Sequence, residues 1–190
     1  MKDRLPPLAP EQLSDEQRAA VARFEAGPRG AIFGPFSILL RSPEVLDHAQ
    51  KLGEYLRFKS SLPVKLRELA ILIAGRECWQ PFIWYVHEPV ARANGVSDEI
   101  VRALADGRRP RAMDGDERAV YEFCDELFRN KMVSDPTYED ALNRFGERGI
   151  IDLVGISAYW PLLGMAMNVG QMPLPSDADG KITRFLKRAV

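Results

Sequence analysis

The sequence predicts an all-α protein, and two observations carry that prediction. First, helix-start signatures recur along the chain. Ser14 with Gln17, Ser42-Pro43-Glu44, Ser97-Asp98-Glu99 and Asp114 with Glu117 each set a capping oxygen or a first-turn proline ahead of apolar residues at helical spacing. Second, no segment alternates apolar and polar residues between turn dipeptides, as a half-buried strand does. The 190 residues fit one domain spanning 1–190, with extended segments at about 1–13 and 171–190.

The elements follow in order. Ser14 caps a helix through Ala26, which Gly27 ends. GPRGAIFGPF is loop by its Gly and Pro density, and FSILL is a short helix. Ser42, Pro43 and Glu44 start a helix that runs to about Phe58, with Val45, Leu46, Ala49, Leu52 and Leu56 on one side. Ser60 or Ser61 caps the next helix, whose Leu66, Leu69, Ala70 and Ile73 recur at helical spacing and which reaches Glu77. Another begins near Pro81 and stops at Asn94-Gly95. Ser97 opens a short helix to about Asp106. DGRRPRAMDGD is a linker, and Asp114 with Glu117 opens RAVYEFCDELFRN. SDPTYEDALNRFG forms a helix from Ser134, and the apolar run from Gly149 to Gly170 forms the last long one. QMPLPSDADG leads out, and KITRFLKRAV is a terminal helix. ELAILIAGRECWQP and IDLVGISAYWPL echo one another weakly, each as acid, apolar run, Trp and Pro.

Composition excludes several function classes. Lys plus Arg is 26 against 27 Asp plus Glu, so no global field attracts nucleic acid or an anionic membrane. The basic stretch GRRPR, 107–111, has no interleaved aromatics. The run from Gly149 to Gly170 approaches spanning length, but Asp152, Pro161 and Asn168 interrupt it, which favours a buried helix over a membrane span. MKDRLPPLAPEQL lacks the apolar stretch of a secretory signal, and two cysteines make no disulfide framework. A cytoplasmic, reduced setting is the expectation. No GxGxxG, GxxxxGK[ST] or GxSxG occurs. His48 and His87 are the only histidines and match no zinc spacing, so no metal site is expected.

Chemistry concentrates in ECWQPFIWYVHEP, residues 77–89. The helices Pro63–Glu77 and Pro81–Asn94 are joined by Cys78 to Gln80, a connection short enough to force an antiparallel hairpin. Glu68 lies ten residues before Cys78 and His87 nine after it, so the two stand at nearly the same height. The spacing allows a carboxylate to orient the imidazole and raise its basicity. Ile83 and Trp84, at i−4 and i−3 from His87, wall the ring with apolar surface. Pro89 removes a hydrogen bond to Tyr85 and kinks the chain just beyond. Cys78 precedes a helix start and is a candidate low-pKa thiol or, equally, a small buried hydrophobe. Cys124 reads as core. Arg67 and Arg76 are candidates to hold a carboxylate, with a solvated role as the plainer alternative.

RELAIL and HEPVARANG, with Glu68 eighteen intervening residues ahead of His87-Glu88-Pro89, resemble the carboxymuconolactone decarboxylase family of the alkylhydroperoxidase D-like superfamily. The resemblance is clearest between Leu66 and Ile100. It implies an alkylhydroperoxidase D-like helical bundle in a single domain, a homo-oligomer with sites near subunit contacts, and chemistry without metal or organic cofactor. It also implies lyase activity on a small carboxylate or lactone, of the kind used in aromatic-compound catabolism. His87 would move the proton, oriented by Glu68. Trp84, Tyr85, Ile83 and Glu88 would shape the pocket, and an arginine such as Arg76 would hold the substrate. The peroxidase branch carries Cys-x-x-Cys ending four residues before the His. Those positions are Gln80 and Ile83 here, so both thiols are missing, and relatives often place a Glu where Ile83 stands. Cys78 leaves room only for a one-Cys peroxidase, the first alternative. A non-catalytic, oligomeric ligand-binding relative is the second.

Overall fold

The computed structural model describes residues 2–178. Among them are eight α-helices and no strand: α1 (Asp15–Glu25), α2 (Pro35–Leu39), α3 (Pro43–Phe58), α4 (Val64–Glu77), α5 (Pro81–Ala93), α6 (Asp98–Ala105), α7 (Gly115–Asn130) and α8 (Asp135–Gly170). The terminal helix expected over KITRFLKRAV lies outside the described residues.

Helix α4 occupies the centre because, Arg67 and Glu68 apart, its residues from Leu66 to Gly75 are apolar or small on every side. Each residue from Leu66 to Gly75 is buried, and a helix without a polar face must be enclosed. Helices α5, α6, α7 and α8 pack against it. Helices α1 and α2 pack on α3, and α2 and α3 also meet α8. One continuous core of buried side chains links these elements.

Local capping chemistry sets several boundaries where the sequence places them. Ser14 Oγ accepts from the Gln17 backbone N–H at 3.2 Å while Gln17 Oε1 accepts from Ser14 N–H at 3.0 Å. Asp114 and Glu117 make the same reciprocal pair, 2.8 Å each way. Ser97 Oγ accepts from Ile100 N–H.

Two expectations change. Helix α4 is capped by neither Ser60 nor Ser61, since Pro63 stands at its N-cap with no side-chain cap bond. Ser61 instead donates both its N–H and its hydroxyl to Asp152 Oδ2, 2.7 Å each. On α3 the buried stripe is Leu46, Ala49, Gly53 and Leu56, while Val45 and Leu52 are 44% and 46% exposed. At about 100° per residue those two fall off the inward face. Helix α5 spans Pro81–Ala93, as expected from its start near Pro81 and its stop at Asn94-Gly95, with Pro89 inside it. Pro89 faces solvent, where water can serve the carbonyl its missing donor leaves.

The two helices read after Ser134 form arms of α8 that meet at Gly146, whose φ of 66° only glycine adopts easily. Helix α8 is long and apolar enough, by length and composition, to cross a membrane. Yet 56% of its apolar window is buried inside the protein. Asp152, in the distal arm, is 2% exposed and takes hydrogen bonds from Ser61 and, at 2.8 Å, from the Tyr55 hydroxyl.

Candidate functional site

The α4–α5 hairpin brings the acid and the imidazole together. Gly75 lets the helices close up: a Cβ there would lie 2.8 Å from Ile83 Cγ2 and 3.2 Å from Trp84 Cδ1. Trp79 takes the left-handed conformation at φ 52°, which turns the chain between the two helices. Gln80 then caps α5, its side-chain oxygen accepting from Phe82 N–H at 2.8 Å. Its amide nitrogen donates to Asn168 Oδ1 at 3.0 Å, and Asn168 Nδ2 donates to the Cys78 carbonyl at 2.7 Å. The turn is thereby clamped to α8.

With the hairpin closed, His87 Nδ1 lies 2.7 Å from Glu68 Oε2. His87 is 5% exposed and Glu68 1%. The other ring nitrogen is also engaged, because Trp160 Nε1–H donates to His87 Nε2 at 3.1 Å. An indole N–H can only donate, so Nε2 offers its lone pair and Nδ1 carries the proton toward the carboxylate. The resting imidazole is therefore the neutral Nδ1–H tautomer. Burial lowers the His87 pKa below its ordinary value, and nearby Arg57 and Arg67 push the same way, while the Glu68 hydrogen bond and charge oppose them. Arg67 Nε stands 3.7 Å from Glu68 Oε1.

The His87 ring forms part of the wall of a cavity of about 40 Å³. Its other walls include Arg29, Arg57, Phe36, Phe82, Ile83, Val86, Tyr159, Trp160, Leu163 and Met167. No carboxylate lines it. Among the described residues no group of three or more His, Cys, Asp or Glu side chains is arranged to hold a metal ion.

The other residues singled out in sequence fall as follows. Ile83 is on the cavity wall, and Gln80, at the other position where a dithiol would carry sulfur, is a helix cap. Cys78 lies off the cavity at the hairpin turn, its Sγ 3.5 Å from the Gly75 carbonyl and packed against Gly164. Burial pushes its thiol up to about 12, the reverse of the lowered pKa entertained from its position. Cys124 is core, also raised to about 12. Trp84 is fully buried and does not line the cavity. Tyr85 points its hydroxyl at Asp177, 3.2 Å away, and Glu88 pairs with Arg92 at 2.9 Å. Arg76 stacks over Trp79 at 3.8 Å and donates to the Leu104 carbonyl, away from the cavity. In the basic loop, Arg108 pairs with Asp106 and Arg109 with Glu122.

Sequence reasoning missed Trp160, Tyr159, Arg57 and Arg29. Only the echo between the two Trp- and Pro-ending stretches drew attention to Trp160. Nothing local marks the other three.

Two comparisons bear on these observations. Residues 43–126 match the model of the Carboxymuconolactone decarboxylase family. The fold is similar to the crystal structure of an uncharacterized peroxidase-related protein from Silicibacter sp. TM1040, with a TM-score of 0.72 over 93% of this chain and 92% of that one, at 16% identity. No curated protein matches the chain.

Proposed function

We propose that this chain, whose residues 43–126 carry the sequence of the carboxymuconolactone decarboxylase family, is a cofactor-independent acid–base enzyme that decarboxylates a small carboxylated or lactone substrate. One observation carries the reading. A buried imidazole, held by Glu68 at Nδ1 and by Trp160 at Nε2, forms part of the wall of a cavity that arginines also line.

The chemistry follows from the tautomer. Resting His87 is neutral, with its basic lone pair on Nε2 tied to Trp160. A carboxylate entering beside it favours the imidazolium, with the proton drawn from water. Nε2 then becomes a donor, so the Trp160 bond must break. Glu68, 2.7 Å from Nδ1, stabilises the new positive charge. As CO2 leaves, the electron pair of the broken C–C bond passes into an adjacent carbonyl as an enolate. The Nε2 proton goes to carbon, and the imidazole returns to its neutral form. Glu68 and Trp160 act through the ring as positioning residues.

The test is CO2 release from carboxymuconolactone. His87→Ala is expected to stay folded and lose turnover about 10²-fold or more. Wild-type turnover in that variant refutes the assignment.

A thiol peroxidase is the competing reading, and the description of the structural neighbour as peroxidase-related favours it. A Cys78 thiol with its pKa near 12, set off the cavity, is poorly suited to attack a peroxide. Peroxide consumption with a dithiol reductant, abolished by alkylating Cys78, would establish it. Ligand binding without turnover would mark a non-catalytic relative. Our reading also includes self-association. The exposed Ile151, Leu162, Met165 and Val169 on one face of α8 support it, and sedimentation equilibrium tests it.

A further inference from the structure

The cavity beside His87 contains more positive charge than the protein itself neutralises. Arg29 and Arg57 both line it, and neither pairs with a carboxylate among the described residues. Glu54 is near enough to act on Arg29, but Lys59 holds it at 2.7 Å. Arg29 is fixed without an anion. Its guanidinium carbon sits 5.0 Å from the Phe36 ring centroid, 5.8 Å from Phe58 and 6.0 Å from Phe24. One terminal nitrogen donates to the Gln50 carbonyl and side chain at 3.3 and 3.1 Å. These contacts hold the group in place and leave its buried Nε–H without an acceptor.

Tyr159 supplies a second, independent sign. It is 2% exposed, it lines the same cavity, and its hydroxyl has no hydrogen-bond partner. Leaving a buried hydroxyl unpaired forfeits its hydration with nothing in return, so its persistence asks for an explanation. Gly53 makes the room for it, since a Cβ on that residue would collide with the Tyr159 hydroxyl. Burial pushes this phenol up to about 12, so it stays protonated and able to donate.

We propose that Arg29, Arg57 and the Tyr159 hydroxyl form the binding site for the carboxylate of a small organic anion, whose apolar body lies against Phe36, Phe82, Leu163 and Met167. The size fits the group. At roughly 10–15 Å³ for each water-sized occupant, a cavity of about 40 Å³ holds three heavy atoms, the number in a carboxylate. The rest of the ligand extends along the apolar wall toward the opening. The site deepens the acid–base reading by naming the residues that hold the substrate's carboxylate, and it rests on that reading for the role of His87. Tyr159 packs edge-on against Trp160, centroids 5.0 Å apart, and Trp160 holds Nε2. An anion at this site therefore sits one ring away from the bond that must release the imidazole.

Calorimetric titration of the full chain tests the proposal with benzoate, cyclohexanecarboxylate and cis,cis-muconate as probes and benzamide as the uncharged control. At least one carboxylate is expected to bind tenfold or more tighter than benzamide. Arg57→Gln is expected to weaken it about tenfold or more, and Tyr159→Phe about fivefold, the range for charged and neutral hydrogen bonds. Arg57→Lys, which keeps the charge and loses the fork, is expected to fall between. Circular dichroism checks that each variant is folded. No binding by any carboxylate, benzamide binding as well as benzoate, or an unchanged affinity in folded Arg57→Gln overturns the site. Repeating the titration in two buffers of different ionisation enthalpy separates this site from the acid–base reading. His87 is faced by Glu68 and Arg67 from α4, Arg57 from α3 and Trp160 from α8, and it is the group expected to take up a proton on binding. Carboxylate binding without proton uptake keeps the site and sinks the role of His87. Uptake that disappears in His87→Gln, with binding retained, supports both.

Discussion

Glu68 and Asp152 are the two acids that open the echoing stretches of the sequence, and the fold uses them in opposite ways. Both are buried, 1% and 2% exposed, and both sit on core helices. Asp152 accepts from a backbone N–H and two hydroxyls, those of Ser61 and Tyr55. It is an anchor that ties the segment after α3 to α8. Glu68 faces an imidazole that itself forms part of a cavity wall. The lesson is that burying a carboxylate does not by itself mark a functional site. What separates the two is whether the partner can change its protonation and whether that partner meets open space.

The largest expected effect is on the anchor. Asp152→Ala strands the Ser61 N–H and hydroxyl and the Tyr55 hydroxyl, and we expect it to cost about 3–5 kcal/mol of stability, the scale for opening a buried charged network. Urea denaturation measures that loss, and turnover per folded molecule should be unchanged. A loss under 1 kcal/mol, or a selective loss of turnover, would erase the contrast.

Glu68→Gln should do the reverse. Its amide oxygen can still accept from Nδ1–H, so stability should shift little, but the imidazolium loses its counter-charge. Turnover is expected to fall about 10²-fold, the scale for an acid–base group. The pH–rate profile should also move to lower pH, because the carboxylate raises the His87 pKa. A drop in rate without that movement would make Glu68 merely structural.

Trp160→Phe removes the donor that favours neutral His87, at a cost of about 1 kcal/mol for the hydrogen bond. The imidazole should then titrate at higher pH, read from its proton resonances. No displacement means that the indole does not control the ring.

A smaller effect separates the two acids through pH alone. The folded-state pKa of His87 is lowered, so the unfolded chain takes the proton first. Stability should therefore be full above the unfolded value of about 6.5 and decline as pH falls through it toward the folded value. The His87→Gln variant should lose this part of the slope, while Asp152→Ala should keep it.

The smallest change lies far from either acid. Ser14→Ala deletes a surface cap and should cost about 1 kcal/mol with no change in turnover, which thermal denaturation can measure.

The parts legible in advance were those governed by short separations. Capping pairs such as Ser14–Gln17 and Asp114–Glu117 span three residues, and the hairpin turn between α4 and α5 spans three more. The closeness of Glu68 and His87 was readable for the same reason, since a short turn fixes the height of two residues along paired helices. Rotation about the helix axes was not readable. Periodicity alone therefore puts Val45 and Leu52 on the inner face of α3, and Trp84, Tyr85 and Glu88 at the pocket, where the structure has none of them. The packing of α3 on α1, α2 and α8, and of α5 on α4, decides which way they turn.

The sequence by itself determined an all-helical chain, the positions of most helix starts, and an acid and an imidazole level with each other in one hairpin. Each of these follows from hydrogen bonds and periodicity within a few residues. Only the tertiary structure decided that Trp160, 73 residues beyond His87, seals the second nitrogen. It alone brought Arg29, Arg57 and Tyr159 from three separate segments to one cavity. Such meetings depend on how whole helices pack side by side, and packing is settled by the summed burial of many side chains rather than by any local signal.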